Sequence, residues 1–224
     1  MSFGDKKLSE IAVSVPGSTS LLREYDLDFC CGGSDTLSNA AAEKGLNLAE
    51  IETRLTELQN SKAENPEEYW VNATYPEIID HILVRYHQRH REQLQELIVL
   101  ADRVESVHGD REDCPMGVAA ELRNVYEDLS NHMMKEEHVL FPMIKAGNYM
   151  MAQMPIRMME MGHAEHGEHL DVLKSLTNNM TPPADACNTW RALYSGIQEF
   201  ADDLMMHIHR ENNILFPRVI AENH

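Results

Sequence analysis

Long apolar runs are missing from this chain. No stretch approaches the roughly 20 residues needed to cross a bilayer. The N-terminal Met-Ser-Phe-Gly-Asp-Lys-Lys leads into no apolar segment, so neither a membrane span nor a signal peptide is expected. Strand signals are equally scarce. There is little period-2 alternation and no Asn-Gly or Asp-Gly pair, which argues against a β-rich fold. Basic residues are few, with 19 Lys and Arg against 37 Asp and Glu and a formal net charge of -18. Such an acid excess repels phosphate backbones and anionic lipid, so no nucleic-acid or membrane partner is expected. Cysteine is sparse too. Cys30, Cys31, Cys114 and Cys187 are the four, and an adjacent pair is a poor spacing for an ordinary disulfide. A reduced, cytoplasmic chain is the simplest reading.

Histidine and methionine are plentiful, with 12 and 14 in 224 residues. The spacing of apolar residues predicts an all-α chain in three parts. Residues 1–62 form a small helical domain, broken at Pro16 and interrupted by Cys30-Cys31-Gly32-Gly33, with helices resuming near Asp35 and at the capping box Asn47-Leu48-Ala49-Glu50. Residues 63–75, polar and containing Pro66, are the linker. Residues 76–224 hold four long helices with short connections, an up-down-up-down bundle. These start at Pro76, about Met116, Pro155 and Thr181-Pro182.

The bundle contains an internal repeat. His132-Met-Met-Lys-Glu136 and His207-Ile-His-Arg-Glu211 are both HxxxE, and each is followed by Leu-Phe-Pro. The first and third helices match at nearly the same offset, with His87-Gln-Arg-His90 and His163-Ala-Glu-His166. Residues four apart share a helix face, so each His of HxxxE points the same way as its Glu. His87 and His90 share heptad rows with Leu94 and Leu97, and His163 and His166 with Leu170 and Leu173, which turns all four inward. One buried histidine is an ordinary core residue. Two buried carboxylates among four imidazoles are not, because a buried ionised carboxylate costs several kcal/mol unless paired. Two metal ions remove the difficulty. A nitrogen and oxygen donor set without thiolate favours iron, then manganese, over zinc or calcium. Spacing alone leaves His87 against His90 and His163 against His166 open. His81, His108, His138, His169, His209 and His224 follow no pattern, and the methionines are expected to fill the core.

HxxxE on an antiparallel bundle resembles the hemerythrin-like di-iron domain. Tyr25-Asp26-Leu27-Asp28-Phe29-Cys30-Cys31-Gly32-Gly33 resembles the short cysteine module that precedes that domain in the repair-of-iron-centres family. His81–Leu94, Met-Met-Lys-Glu-Glu at 133–137 and Glu211–Pro217 are similar to that family as well. The resemblance implies a bacterial stress protein that repairs iron–sulfur clusters damaged by nitric oxide or oxidants. It implies two iron ions, oxo- and carboxylate-bridged, with His87, His132, His163 and His207 as terminal ligands and Glu136 and Glu211 as bridges. Damaged iron–sulfur proteins and nitric oxide are then the partners. Nitric oxide reduction, or binding and sensing of dioxygen or nitric oxide, is the alternative role, and no ordinary enzyme substrate is implied. Where relatives often carry a carboxylate before the third-helix histidine, this chain has Gly162. Cys30 and Cys31 are candidate redox thiols, at least one of them a thiolate if a helix start follows closely. Two thiols are too few for a stable cluster, although a homodimer would supply four.

Overall fold

The computed structural model describes residues 2–61 and 64–222. The expected boundary at 62–63 and His224 lie outside them. Helix dominates throughout, and the β structure among the described residues is one isolated bridge between Lys7 and Thr36. The chain divides into two compact units, Met1–Ile78 with Met206–His224, and Ile79–Met205.

In the first unit, α1 (Leu8–Ser14), α2 (Ser18–Glu24), α3 (Leu37–Glu43) and α4 (Leu48–Asn60) enclose Leu8, Ile11, Leu22, Leu27, Phe29, Leu37, Ile51 and Leu55, all buried. Local chemistry sets the boundaries. The Thr36 and Asn47 side chains accept hydrogen bonds from the backbone N–H of Asn39 and Glu50, satisfying donors that the first turn leaves open. Asn65 does the same for Glu67, and Pro66 sits at the first position of α5 (Pro66–Asn72), where its missing N–H costs nothing. That helix lies within the segment expected to be linker.

The second unit is built from the four bundle helices. The first comprises α6 (Tyr75–His81), a π turn at Ile82–His87, and α7 (Gln88–His108). The second comprises α8 (Val118–Lys135), a π turn at Glu136–Leu140, and α9 (Phe141–Lys145). The third is α10 (Tyr149–Leu176). The fourth, α11 (Asn188–Arg210), continues through a π turn at Glu211–Leu215 into α12 (Phe216–Ala221). Pairs α7–α8 and α8–α10 pack side by side, and His90 of α7 meets Phe200 of α11 edge-on at 5.4 Å.

Three expectations are corrected. Helix α10 begins at Tyr149, so Pro155 lies inside it. An interior proline costs about 3 kcal/mol, which burial of Ala152, Ile156 and Met159 offsets. Helix α11 begins at Asn188, not at Thr181-Pro182. Thr181 and Pro182 each precede a proline, and that position is pushed towards extended backbone. The methionines divide. Met133 and Met159 are buried, but Met134, Met150, Met151, Met154, Met158 and Met161 are exposed. The α10 face made by Ala152, Ile156, Met159, His163 and His166 turns inward, so its other methionines fall on the opposite side.

Candidate metal centre

Two π turns begin at the glutamates of the two HxxxE motifs. Their cause is visible in the sequence. Pro142 and Pro217 follow within six residues. A proline donates no hydrogen bond, and its ring crowds the carbonyl four residues back. The ladder therefore widens before it, with Phe141 N–H reaching Glu136 O and Phe216 N–H reaching Glu211 O. Such turns recur at functional sites.

Within the second unit, Glu136 is the hub. It is fully buried, as is His87, and His132 and His163 are 5% and 1% exposed. His132 Nε2 lies 3.2 Å from Glu136 Oε1, and His163 Nε2 lies 4.0 Å from the same oxygen. The other oxygen, Oε2, faces His87 Nε2 at 3.4 Å. His132 and His163 bring their Nε2 atoms within 3.0 Å of each other. Two imidazole nitrogens and a carboxylate oxygen aimed at one point share a proton poorly and a cation well. The donor set fits a first-row transition metal.

His87 is oriented from behind. Its Nδ1 meets Glu137 Oε1 at 2.8 Å, and Arg91 Nη2 donates to the same oxygen at 2.8 Å. His87, helped by Arg91 and opposed by burial, draws the Glu137 carboxyl down to about 2. A carboxylate on the far nitrogen fixes the tautomer and aims the near nitrogen at the site. This favours His87 over His90, whose ring stacks between Tyr86 and Phe200. His166 is also buried and touches the His132 ring edge-on. Gly162 has a steric role. A Cβ there would stand 2.7 Å from His132 Nδ1, so the close approach of α10 to that imidazole requires glycine.

In the first unit the second motif is built to the same plan. His207 Nε2 lies 3.3 Å from Glu211 Oε1, both buried. Its neighbours have diverged. Arg210 makes a two-pronged buried ion pair with Glu67 of α5, and its guanidinium covers the Trp70 ring at 4.8 Å. Burial would raise the Glu67 carboxyl, but His209 and Arg210 outweigh it and hold it below the ordinary range. Burial also depresses His209. Its neutral ring accepts from the Asn213 amide at Nδ1 and presents Nε2–H to Glu67, 3.4 Å away. Asn212 and Asn213 donate to the carbonyls of Cys30 and Phe29 at 3.0 and 2.8 Å. The turn that carries Glu211 thus grips the cysteine loop.

That loop is wound around Asp28. Its Oδ1 accepts the N–H groups of Cys30 and Cys31, and its Oδ2 that of Gly32. Gly33 is obligatory, since a Cβ there would lie 2.5 Å from the Phe29 carbonyl. The expected thiolate at a helix start is corrected for Cys30. The nearest helix begins at Leu37, and the hydrogen bond with Cys31, burial and Asp28 together push the Cys30 thiol well above its ordinary range.

Residues 78–219 match the family described as Hemerythrin HHE cation binding domain. Residues 4–59 match the domain of unknown function DUF542. A probable iron–sulfur cluster repair protein of Haemophilus influenzae is 67% identical, over 99% of this chain and 100% of its own. Iron–sulfur cluster repair proteins YtfE of Musicola paradisiaca and Citrobacter koseri are each 54% identical, over 98% and 99% of both chains respectively. The chain belongs to the family of hemerythrin-domain iron–sulfur cluster repair proteins. As in a cation-binding domain, its buried Glu and His groups could hold a metal ion. Sequence reasoning missed Glu137, Glu67, Asn212 and Asn213. A signal for two of them was present, because Glu137 and Asn212 occupy the same place in the repeat, yet only one is charged.

Proposed function

We propose that this protein repairs iron–sulfur clusters damaged by nitrosative or oxidative stress in the bacterial cytoplasm, using two iron ions held by His87, His132, Glu136, His163, His207 and Glu211. The observation that carries the reading is that near-full-length relatives bear the repair name, while the chain joins the cysteine module to the turn that carries Glu211. When bound, the iron pair supplies labile iron or electrons. The chain does the rest. Glu136 offers Oε1 on the His132 and His163 side and Oε2 on the His87 side, as a bridging carboxylate requires. Glu137 fixes the tautomer of His87, and the buried surroundings keep bulk water away from the donors.

The test uses a cluster enzyme inactivated by nitric oxide. Purified protein should restore it, and Glu136→Leu should not. Equal restoration by the variant rejects the proposal. Nitrous oxide evolution in place of cluster recovery would assign the role to nitric oxide reduction.

A further inference from the structure

The loop at residues 28–32 contains a second donor cluster, chemically unlike the first. Asp28, Cys30 and Cys31 each place a ligand atom within 4.8 Å of the others. The Cys30 and Cys31 sulfurs are 3.8 Å apart, far beyond the roughly 2.05 Å of a disulfide. A tetrahedral ion with metal–sulfur bonds of about 2.3 Å sets its two sulfurs about 3.8 Å apart. Asp28 Oδ1 lies 3.2 Å from Cys30 Sγ, against about 3.6 Å for an ideal tetrahedral sulfur–oxygen edge.

We propose that Asp28, Cys30 and Cys31 form a mononuclear site for a thiophilic divalent cation, with the fourth position open to an outside ligand. Its metal preference differs from that of the His and Glu donors, because thiolates select softer ions. The scaffold stands without the ion. Asp28 winds three backbone N–H groups around itself, Asn212 and Asn213 hold the carbonyls of Cys30 and Phe29, and Ser9 N–H bonds Gly33 O at 3.0 Å. Preorganisation of this kind lowers the ordering cost of binding. The site is also crowded with latent negative charge. Cys31 and Asp28 both oppose ionisation of the Cys30 thiol, and a cation reverses that opposition. Uptake deprotonates the thiols and releases their protons to solvent, with no change of oxidation state. Cys30 is buried and Cys31 partly exposed, so the open position faces outward from the Cys31 side.

Cobalt(II) added without oxygen to the full chain tests the site. A Cys187→Ser background removes the exposed thiol that sits 3.3 Å from His108 Nε2. Sulfur-to-cobalt charge transfer in the near ultraviolet reports thiolate ligation, to which His and Glu donors contribute nothing. One equivalent of cobalt should develop the band. Cys30→Ser/Cys31→Ser should abolish it while the helical circular dichroism is retained. Asp28→Asn should keep a band but weaken apparent affinity at least tenfold. If the double variant loses its helical signal, Cys31→Ser alone, altering only the partly exposed thiol, must reduce the band. Absence of a band in the parent at saturating cobalt overturns the proposal. So does a band that survives in the folded double variant or is unchanged in Cys31→Ser. Either result leaves the repair reading to its own test.

Discussion

Glu67→Gln probes the network that anchors the Glu211 turn. The substitution preserves side-chain shape and deletes the charge, leaving Arg210 buried at 3% exposure without its carboxylate. Removing one partner of a buried ion pair costs about 3–5 kcal/mol. An exposed pair such as Lys44–Asp26 contributes only about 0–1 kcal/mol. For a chain of this length each kcal/mol moves the melting midpoint by roughly 2–4 °C, so the expected fall is on the order of 6–20 °C. Metal-stripped protein should be melted while Trp70 fluorescence is followed in a Trp190→Phe background, since the Trp70 ring lies against Arg210. Glu67→Leu/Arg210→Met removes both charges and should recover most of the loss, because apolar replacement of a buried pair is often neutral. A Glu67→Gln midpoint within about 2 °C of the parent, or a double variant no better than the single, refutes the reasoning.

Gly162→Ala should displace the His132 ring and lower metal content, whereas Gly167→Ala, with open space around its Cβ, should bind normally and gain up to about 1 kcal/mol of stability; metal analysis beside urea melts separates the two. Glu137→Gln should weaken metal affinity roughly 10–100-fold by releasing the back of His87, as read by competition with a chelator, and an unchanged affinity would dismiss that orienting role. His169 bridges Glu121 at 2.6 Å and Asp128 at 3.0 Å. Burial disfavours its charge, but the two carboxylates outweigh this and raise its pKa. Because the folded value exceeds the unfolded one, the stabilisation is full below about pH 6.5 and fades as pH rises through the raised value. The stability difference between parent and His169→Gln should follow that course, and a pH-independent difference contradicts it.

The HxxxE repeat was legible because a four-residue spacing has one meaning on a helix. His132 with Glu136 and His207 with Glu211 pair as that rule requires. The choice of His87 over His90 was not legible, since both face inward and the deciding contact comes from Glu137 on another helix. Ligands read by local period need only their own helix, whereas groups that orient them depend on which helices become neighbours. The same limit hid Glu67, separated from Arg210 by 143 residues. The methionine expectation failed for a different reason. Helical spacing tells which residues share a face, but not whether that face meets a partner helix or water. The start of α11 failed because Thr181-Pro182 resembles a cap until Pro183 is considered.

The π turns carry a consequence for insertions and deletions. Each accommodates one residue more than an α-helical turn spanning the same rise. Deleting His138 would let residues around Glu136 relax into plain helix, with every local hydrogen bond intact. All that follows would then rotate by about 100°. Phe141 and Ile144, now 2% and 1% exposed, would swing away from the core, and Glu136 would keep its partner His132 while losing the packing that closes over it. The length of this segment is therefore as much a part of the site as its side chains, and a single missing codon would do more damage than most single substitutions.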